Sequence, residues 1–242
     1  MPMSAKKTAT TPIAVQLSEA EFTAFILPYL SMPRRGPTCK RGYPCVLNLI
    51  LRVLDTGMQG TCLPVPKASD GTEALHYTTL YNVFARCSDH GSLEHAFVAS
   101  VSPLSNPNHL DLRIVPGDGT NTVAKQGGDG IGYSGHNPHK GEKLIAIVDH
   151  HGYLLAPLPM APVHEADTVV LPEGLKALKR VGEQSGLSFK GAYINLDGGL
   201  DSASNRKAIF NASLIPHIQA NPRNRKRPKG GRKRLFHQAI HD

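Results

Sequence analysis

At Pro103–Asn108 the spacing of apolar residues changes from a helical repeat to a strand repeat, so the chain divides into an all-helical part and an α/β part. Before the break, Ser18 and Glu21 have capping-box spacing, and Phe22, Phe25, Ile26, Tyr29 and Leu30 follow at helical intervals. Pro33-Arg34-Arg35-Gly36-Pro37 ends that run. A second helix is expected over Pro44–Thr56, with Pro at its start, Gly57 at its end, and Val46, Leu47, Leu49, Ile50, Val53 and Leu54 facing a core. A third is expected over Tyr77–Cys87, with Leu80, Tyr81, Phe84 and Cys87 as its stripe, and a fourth over Leu93–Ser102. Such helices fit either a helix-turn-helix module, with Arg34 and Arg35 as phosphate contacts, or a subdomain that only packs.

After the break the order is β, β, β, α, β, α, β. The strands are Leu110–Val115, Leu144–Val148, Tyr153–Leu158, Ala192–Leu196 and Leu214–Ile218. Lys125–Gly141 has no period. The first helix begins between Asp167 and Pro172 and ends near Glu183; the second is Asn205–Asn211. A β-meander followed by helix-linked strands is a mixed α/β arrangement, and this order is that of the ribonuclease-H-like fold. The expected organisation is a polar lead over 1–16, a helical domain over 17–103, an α/β core over 109–220 and a basic tail over 221–242.

The net charge is +8. Arg223, Arg225, Lys226, Arg227, Lys229, Arg232, Lys233 and Arg234 form one stretch with no acid among them, which by itself matches that excess. Such a run is either a solvated tail or an arm for nucleic acid, whose phosphates each Lys or Arg would neutralise. Cys39, Cys45, Cys62 and Cys87 form no C-x-x-C and read as reduced thiols. Met1–Pro12 is polar and no apolar run reaches the ~18 residues of a membrane span, so a cytoplasmic protein is expected.

Two aspartates each follow an apolar run: Asp118 in Ile114-Val115-Pro116-Gly117-Asp118-Gly119-Thr120, and Asp197 in Tyr193-Ile194-Asn195-Leu196-Asp197-Gly198-Gly199. A carboxylate at a strand end, with glycine letting the chain turn, suits a hard divalent cation at the carboxyl edge of an α/β sheet. Asp201 instead reads as the N-cap of the next helix. Gly130-Ile131-Gly132-Tyr133-Ser134-Gly135 matches G-x-G-x-x-G but has no helix after it, with Pro138 and Gly141 in the way. That stretch reads as a flexible hairpin whose His136, His139, Lys140 and Lys143 either lie along phosphates or face solvent. Zinc is disfavoured because no cysteine accompanies these histidines.

Taken in order, Asp118-Gly119-Thr120, Gly127–His136, the strand ending in Asp149, Asp197-Gly198-Gly199-Leu200-Asp201-Ser202, Asn205-Arg206, Ile215–Ile218 and Asn221–Arg225 resemble bacterial insertion-sequence transposases of the DDE class, in the branch typified by insertion sequence five. Leu51–Gly57 is similar to the DNA-binding region of that family. The resemblance implies a ribonuclease-H-like core and Mg²⁺-dependent cutting and joining of double-stranded DNA at terminal inverted repeats. It also implies a homo-oligomeric active assembly and a nucleoid-associated location. Asp118 and Asp197 match the first two catalytic aspartates, which would hold two Mg²⁺ about 3.5–4 Å apart. Leu200 stands where an aromatic is usual. The third acid of the family is a Glu beyond the basic segment, and no Glu follows Glu183. The chain therefore reads as C-terminally shortened, inactive alone, or a DNA-binding repressor derived from a transposase.

Overall fold

The computed structural model describes residues 16–31, 41–65, 75–105, 109–125, 128–219 and 236. Arg34 and Arg35, residues 1–15 of the expected lead, and the run Arg223–Arg234 lie outside them. The chain forms two compact units that divide between Ala96 and Phe97.

The described part of the first unit is helical. Helix α1 (Glu19–Phe25) starts on the predicted capping box: the Ser18 hydroxyl accepts from Glu21 N–H at 3.2 Å, and Glu21 Oε2 accepts from Ser18 N–H at 2.8 Å. It is shorter than its apolar repeat implies. Pro28 has no N–H to continue the ladder, and Leu27–Tyr29 tightens to a 3₁₀ turn. Helix α2 (Gly42–Thr56) ends at Gly57, whose φ of 63° is the left-handed conformation that glycine adopts without strain. Val46, Leu49 and Ile50 are buried on it and pack with Leu63, Leu75 and Leu80. Leu54, in the last turn of the helix, is 62% exposed, contrary to the expected stripe. Helix α3 (Tyr77–Asp89) likewise buries Leu80 and Cys87 and turns Tyr81 to solvent. Helix α4 (Ser92–Val101) follows after only His90 and Gly91.

Cys45, Cys62 and Cys87 are free thiols. Burial pushes the Cys87 thiol up, opposed by the charge of Arg86. Its folded form therefore favours the protonated thiol. That contribution to stability is complete below the unfolded value, near 8.5, and is lost as pH rises past it. At pH 8, maleimide should label exposed Cys62 first and Cys87 only on unfolding. Equal labelling rates by mass spectrometry would overturn this.

The second unit is built on one mixed sheet: β1 (Ile114–Val123), β2 (Gly132–Ser134), β3 (His139–Ile147), β4 (Met160–Pro162), β5 (Tyr193–Leu196) and β6 (Ile215–Ile218), with helices α5 (Asp167–Ser185) and α6 (Ala203–Asn211). The strand order is β2-β3-β1-β5-β6, and β4 also pairs with β3. Strands β1 and β3 are antiparallel; β1, β5 and β6 are parallel. This is the ribonuclease-H-like arrangement expected from the element order. One face carries the core, in which Val115, Ile145, Ile147, Ile194, Leu196 and Ile218 pack with Leu171, Leu175 and Leu178 of α5. Gly117 keeps that face close-packed, since a Cβ there would sit 2.7 Å from Leu196 Cδ2.

The meander is made from other residues than predicted. Strand β1 runs through Pro116 and Gly117, which read as its end, because β3 on one side and β5 on the other hold the backbone extended. The stretch from Gly130 does form the expected hairpin: β2 pairs antiparallel with the start of β3, Gly132 with Gly141, Tyr133 with Lys140 and Ser134 with His139, and His136 lies in the turn. The predicted returning strand Tyr153–Leu158 is reduced to a single bridge between Val148 and Leu154. Asp149 imposes a turn there. It is 1% exposed and its carboxylate accepts the N–H groups of Asp111, His151 and Tyr153. Lys143 is no phosphate contact: its ammonium is largely buried, 2.8 Å from Asp167 at the start of α5.

Candidate metal and nucleic-acid site

Asp118 and Asp197 meet at one groove. Val115 pairs with Ile194, Pro116 with Asn195 and Gly117 with Leu196, so each aspartate is the next residue along a neighbouring parallel strand. Side chains alternate across a sheet. Val115, Ile194 and Leu196 go to the core face, which leaves Pro116, Asp118, Asn195 and Asp197 on the other. A groove of about 510 Å³ is lined by these four residues with Gly117, Ala146, Val148 and Leu196.

The two aspartates are held differently. Asp118 is not at a strand terminus; it is the fifth residue of β1, and β1 continues beyond it paired with β3. It marks instead the point where β1 leaves its parallel partner β5. Gly119 does not turn the chain. It makes room, since a Cβ there would lie 3.1 Å from Asp167 Oδ1. Asp118 Oδ1 accepts from Gly119 N–H at 2.8 Å. Asp197 does end its strand. It caps the 3₁₀ turn Gly198–Leu200, with Oδ1 accepting from Gly198 N–H at 2.6 Å and Oδ2 from Gly199 N–H at 3.4 Å.

Asp201 is not the helix cap. Ser202 is, with its hydroxyl accepting from Asn205 N–H at 3.0 Å. Asp201 is buried and binds Arg206 Nε at 2.8 Å, and an Arg206 terminal nitrogen also donates to Ile218 O at 3.0 Å. This pair ties α6 and the end of β6 to the turn that presents Asp197.

The other nominated residues lie elsewhere. Asp118 pairs with Ala146, and Lys140 is six residues further back along β3, about 20 Å at strand rise. Lys140 and His136 are exposed at the β2–β3 end, and His139 is half-buried there with Nε2 unpartnered. None of them lines the aspartate groove. Phe236, beyond the basic run, stacks on His217 of β6, with centroids 4.6 Å apart and an 11° interplanar angle. At the near side of the run, Gln219 O lies 3.3 Å from where a Gly198 Cβ would be.

Sequence reasoning missed Asn195 and His217. Asn195 stands two residues before Asp197 on one strand, so strand alternation alone put it on the same face. His217 depended on the β5–β6 register, which no local pattern reveals.

A larger groove of about 790 Å³ lies at the amino ends of β1 and β5, with Asp111, Arg113, His151 and Lys190 in its lining. Its carboxylate is already engaged: the hydrogen-bonding Arg113 guanidinium holds the Asp111 carboxyl well below the usual carboxylate range. Among the described residues, no three His, Cys, Asp or Glu side chains cluster closely enough to hold a metal ion. The aspartate groove offers two.

The fold defines a ribonuclease-H-like protein with paired aspartates at the carboxyl edge of its parallel strands. No family model and no curated protein matches the chain. Among solved structures it is similar to the piggyBac transposase in a synaptic complex with hairpin DNA, at 12% identity and a TM-score of 0.43, over 92% of this chain and 46% of that one. It is also similar to Mos1 transposase in a paired-end complex with the left transposon end and in a pre-cleavage transpososome. Both are at 12% identity, over 77% of this chain and 61% of those, with TM-scores of 0.32 and 0.30. The chain spans about half the length of the first of these and three-fifths of the others.

Proposed function

We propose that this chain is a DDE-class transposase of the insertion-sequence-five branch, acting on double-stranded DNA at terminal inverted repeats. The single observation that carries the reading is the shared groove of Asp118 and Asp197 on adjacent parallel strands. Two carboxylates offer the anionic oxygen ligands that Mg²⁺ prefers. Asp118 and Asp197 would hold it, each carboxylate steadied by the N–H of the following glycine. Bound there, a divalent cation would supply Lewis acidity for phosphodiester cleavage and joining. The positive excess supplies a counterpart for a polyanion. Among the described residues no helix is long and apolar enough to cross a membrane. A nucleoid location in a bacterium and a homo-oligomeric working assembly follow from the same reading.

A second reading, a DNA-binding repressor without catalysis, is favoured by one observation: among the described residues the groove brings together only two acids. Manganese binding followed by electron paramagnetic resonance separates the two. Asp118→Asn and Asp197→Asn should each weaken Mn²⁺ binding at least tenfold, since each removes one of two anionic ligands. Unchanged binding in both variants would end the metal-dependent reading. Inverted-repeat DNA should also outcompete scrambled duplex at equal salt; a preference for hairpin RNA would count against a transposase.

A further inference from the structure

We infer that the free edge of β1, Gly119–Val123, pairs antiparallel with the same edge of a second copy of this chain, about a two-fold axis at Thr122. The pairing gives the homo-oligomer proposed above its contact surface, and it needs neither metal nor DNA.

Hydrogen bonding fixes which backbone groups are free. Ala124 N–H donates to Lys140 O at 2.8 Å and Val148 N–H to Pro116 O at 2.9 Å, so the even-numbered residues of β1 face β3. In an antiparallel pair the alternate residues point their N–H and C=O groups the other way. Tyr193 N–H accordingly donates to Arg113 O at 3.0 Å, on the β5 side. But β5 ends at Leu196, opposite Gly117, while β1 runs on to Val123. Among the described residues no strand pairs with β1 on that side beyond Gly117. Gly119 N–H turns to Asp118 Oδ1. Asn121 and Val123 each present an N–H and a C=O to the open side.

Such an edge recruits another strand, and most proteins blunt it with proline, charge or shortness. Gly119–Ala124 contains neither proline nor a charged residue, and Thr120–Val123 are all exposed. The outer strands of the sheet are blunted: β6 contains Pro216, β4 contains Pro162, and β2 and β4 have three residues each.

Complementarity selects the occupant. A polyanion finds no cation between Asp118 and Lys125. A second copy finds matching groups. With Thr122 opposite the partner's Thr122, Asn121 faces the partner's Val123, and each of their N–H groups reaches a carbonyl across the axis. The two Thr122 form a non-hydrogen-bonded pair, in which side chains lie closest and Thr–Thr contacts are favourable. The same register sets the partner's Lys125 opposite Gly119. The Asp167 carboxylate lies over Gly119, 3.1 Å from where a Cβ would be, and its side chain is 40% exposed. A cation thus meets a carboxylate on each side of the axis.

Sedimentation equilibrium of the full chain, in EDTA and without DNA, should show a reversible dimer with a Kd on the order of 10 µM, in keeping with an interface of a few strand residues. Thr122→Lys and Thr122→Glu each set like charges across the axis and should weaken the dimer about five- to tenfold. Mixed in equal amounts, the two should associate more tightly than either alone. Lys125→Glu should also weaken the dimer. In amide-exchange spectra Asn121 and Val123 should gain protection as concentration rises, whereas Thr120 and Thr122, bonded to β3, are protected at every concentration.

The proposal is overturned if the chain stays monomeric at NMR concentration, if the dimer is undiminished in any of these variants, or if the mixture is no tighter than either Thr122 variant. Protection of the Asn121 and Val123 amides that appears only on adding duplex DNA, and not with concentration, also overturns it, since the edge then has another occupant. Melting of the dilute variants checks that they fold; should a Thr122 variant not fold, the amide protection and Lys125→Glu still decide. Failure of the metal reading shows separately, as unchanged Mn²⁺ binding in the aspartate variants, and leaves the dimer in EDTA as it is.

Discussion

Gly141→Ala should unfold the second unit or lower its stability by about 3 kcal/mol or more, at the top of the range for overpacking. Gly141 pairs with Val123 of β1 on one side and Gly132 of β2 on the other, and its carbonyl accepts from Val163 N–H at 3.1 Å. A Cβ at this position would overlap the carbonyl oxygen of Thr122. That oxygen belongs to the backbone of a paired strand and has no rotamer to escape into. The strands must separate or slip, and a one-residue slip would move Asp118 to the core face. Urea and thermal unfolding measure the cost. Gly135→Ala is the control, because a Cβ there meets nothing within 4 Å; it should stay within about 0.5 kcal/mol of wild type. A Gly141→Ala melting point equal to that of the control would show that the β1–β3 register is looser than described.

Arg206→Met should cost about 3–5 kcal/mol, as expected when one partner of a buried ion pair is removed. The side chains of Arg206 and Asp201 are 13% and 5% exposed. Methionine fills similar volume, so the effect isolates charge and hydrogen bonding. It leaves the Asp201 carboxylate without its guanidinium and removes a donor from Ile218 O. Adding Asp201→Asn removes the buried charge that has lost this guanidinium, so the double variant should recover part of the loss in denaturant melts. If the double variant is the less stable of the two, the pair is not the source of the cost. Because this pair braces the Gly198–Leu200 turn, Arg206→Met should also loosen the hold on Asp197.

How much was legible depended on whether the signal was local. The Ser18–Glu21 cap, Gly57 at the end of α2, the α5 stripe and the strand before Asp197 all act within a few residues, and each formed where the sequence put it. The β1 boundary misled because Pro116 and Gly117 are breakers in an isolated chain, yet here two neighbouring strands hold them extended. Asp201 misled because the same carboxylate that suits a helix cap can satisfy a buried arginine, and only packing decides between them. Lys143 looked like a free cation until Asp167 arrived beside it from the next helix.

The sequence alone determined which residues alternate, and so which face of its strand each aspartate would take relative to its own neighbours. It also determined the helix caps and the uneven charge. Tertiary structure decided that β1 lies beside β5, and that His217 lies opposite Asn195. The reason is the range of the forces. Backbone propensity and side-chain alternation are written in adjacent residues, whereas strand order is selected by burying Val115, Ile145, Ile194 and Ile218 against α5 in one shared core.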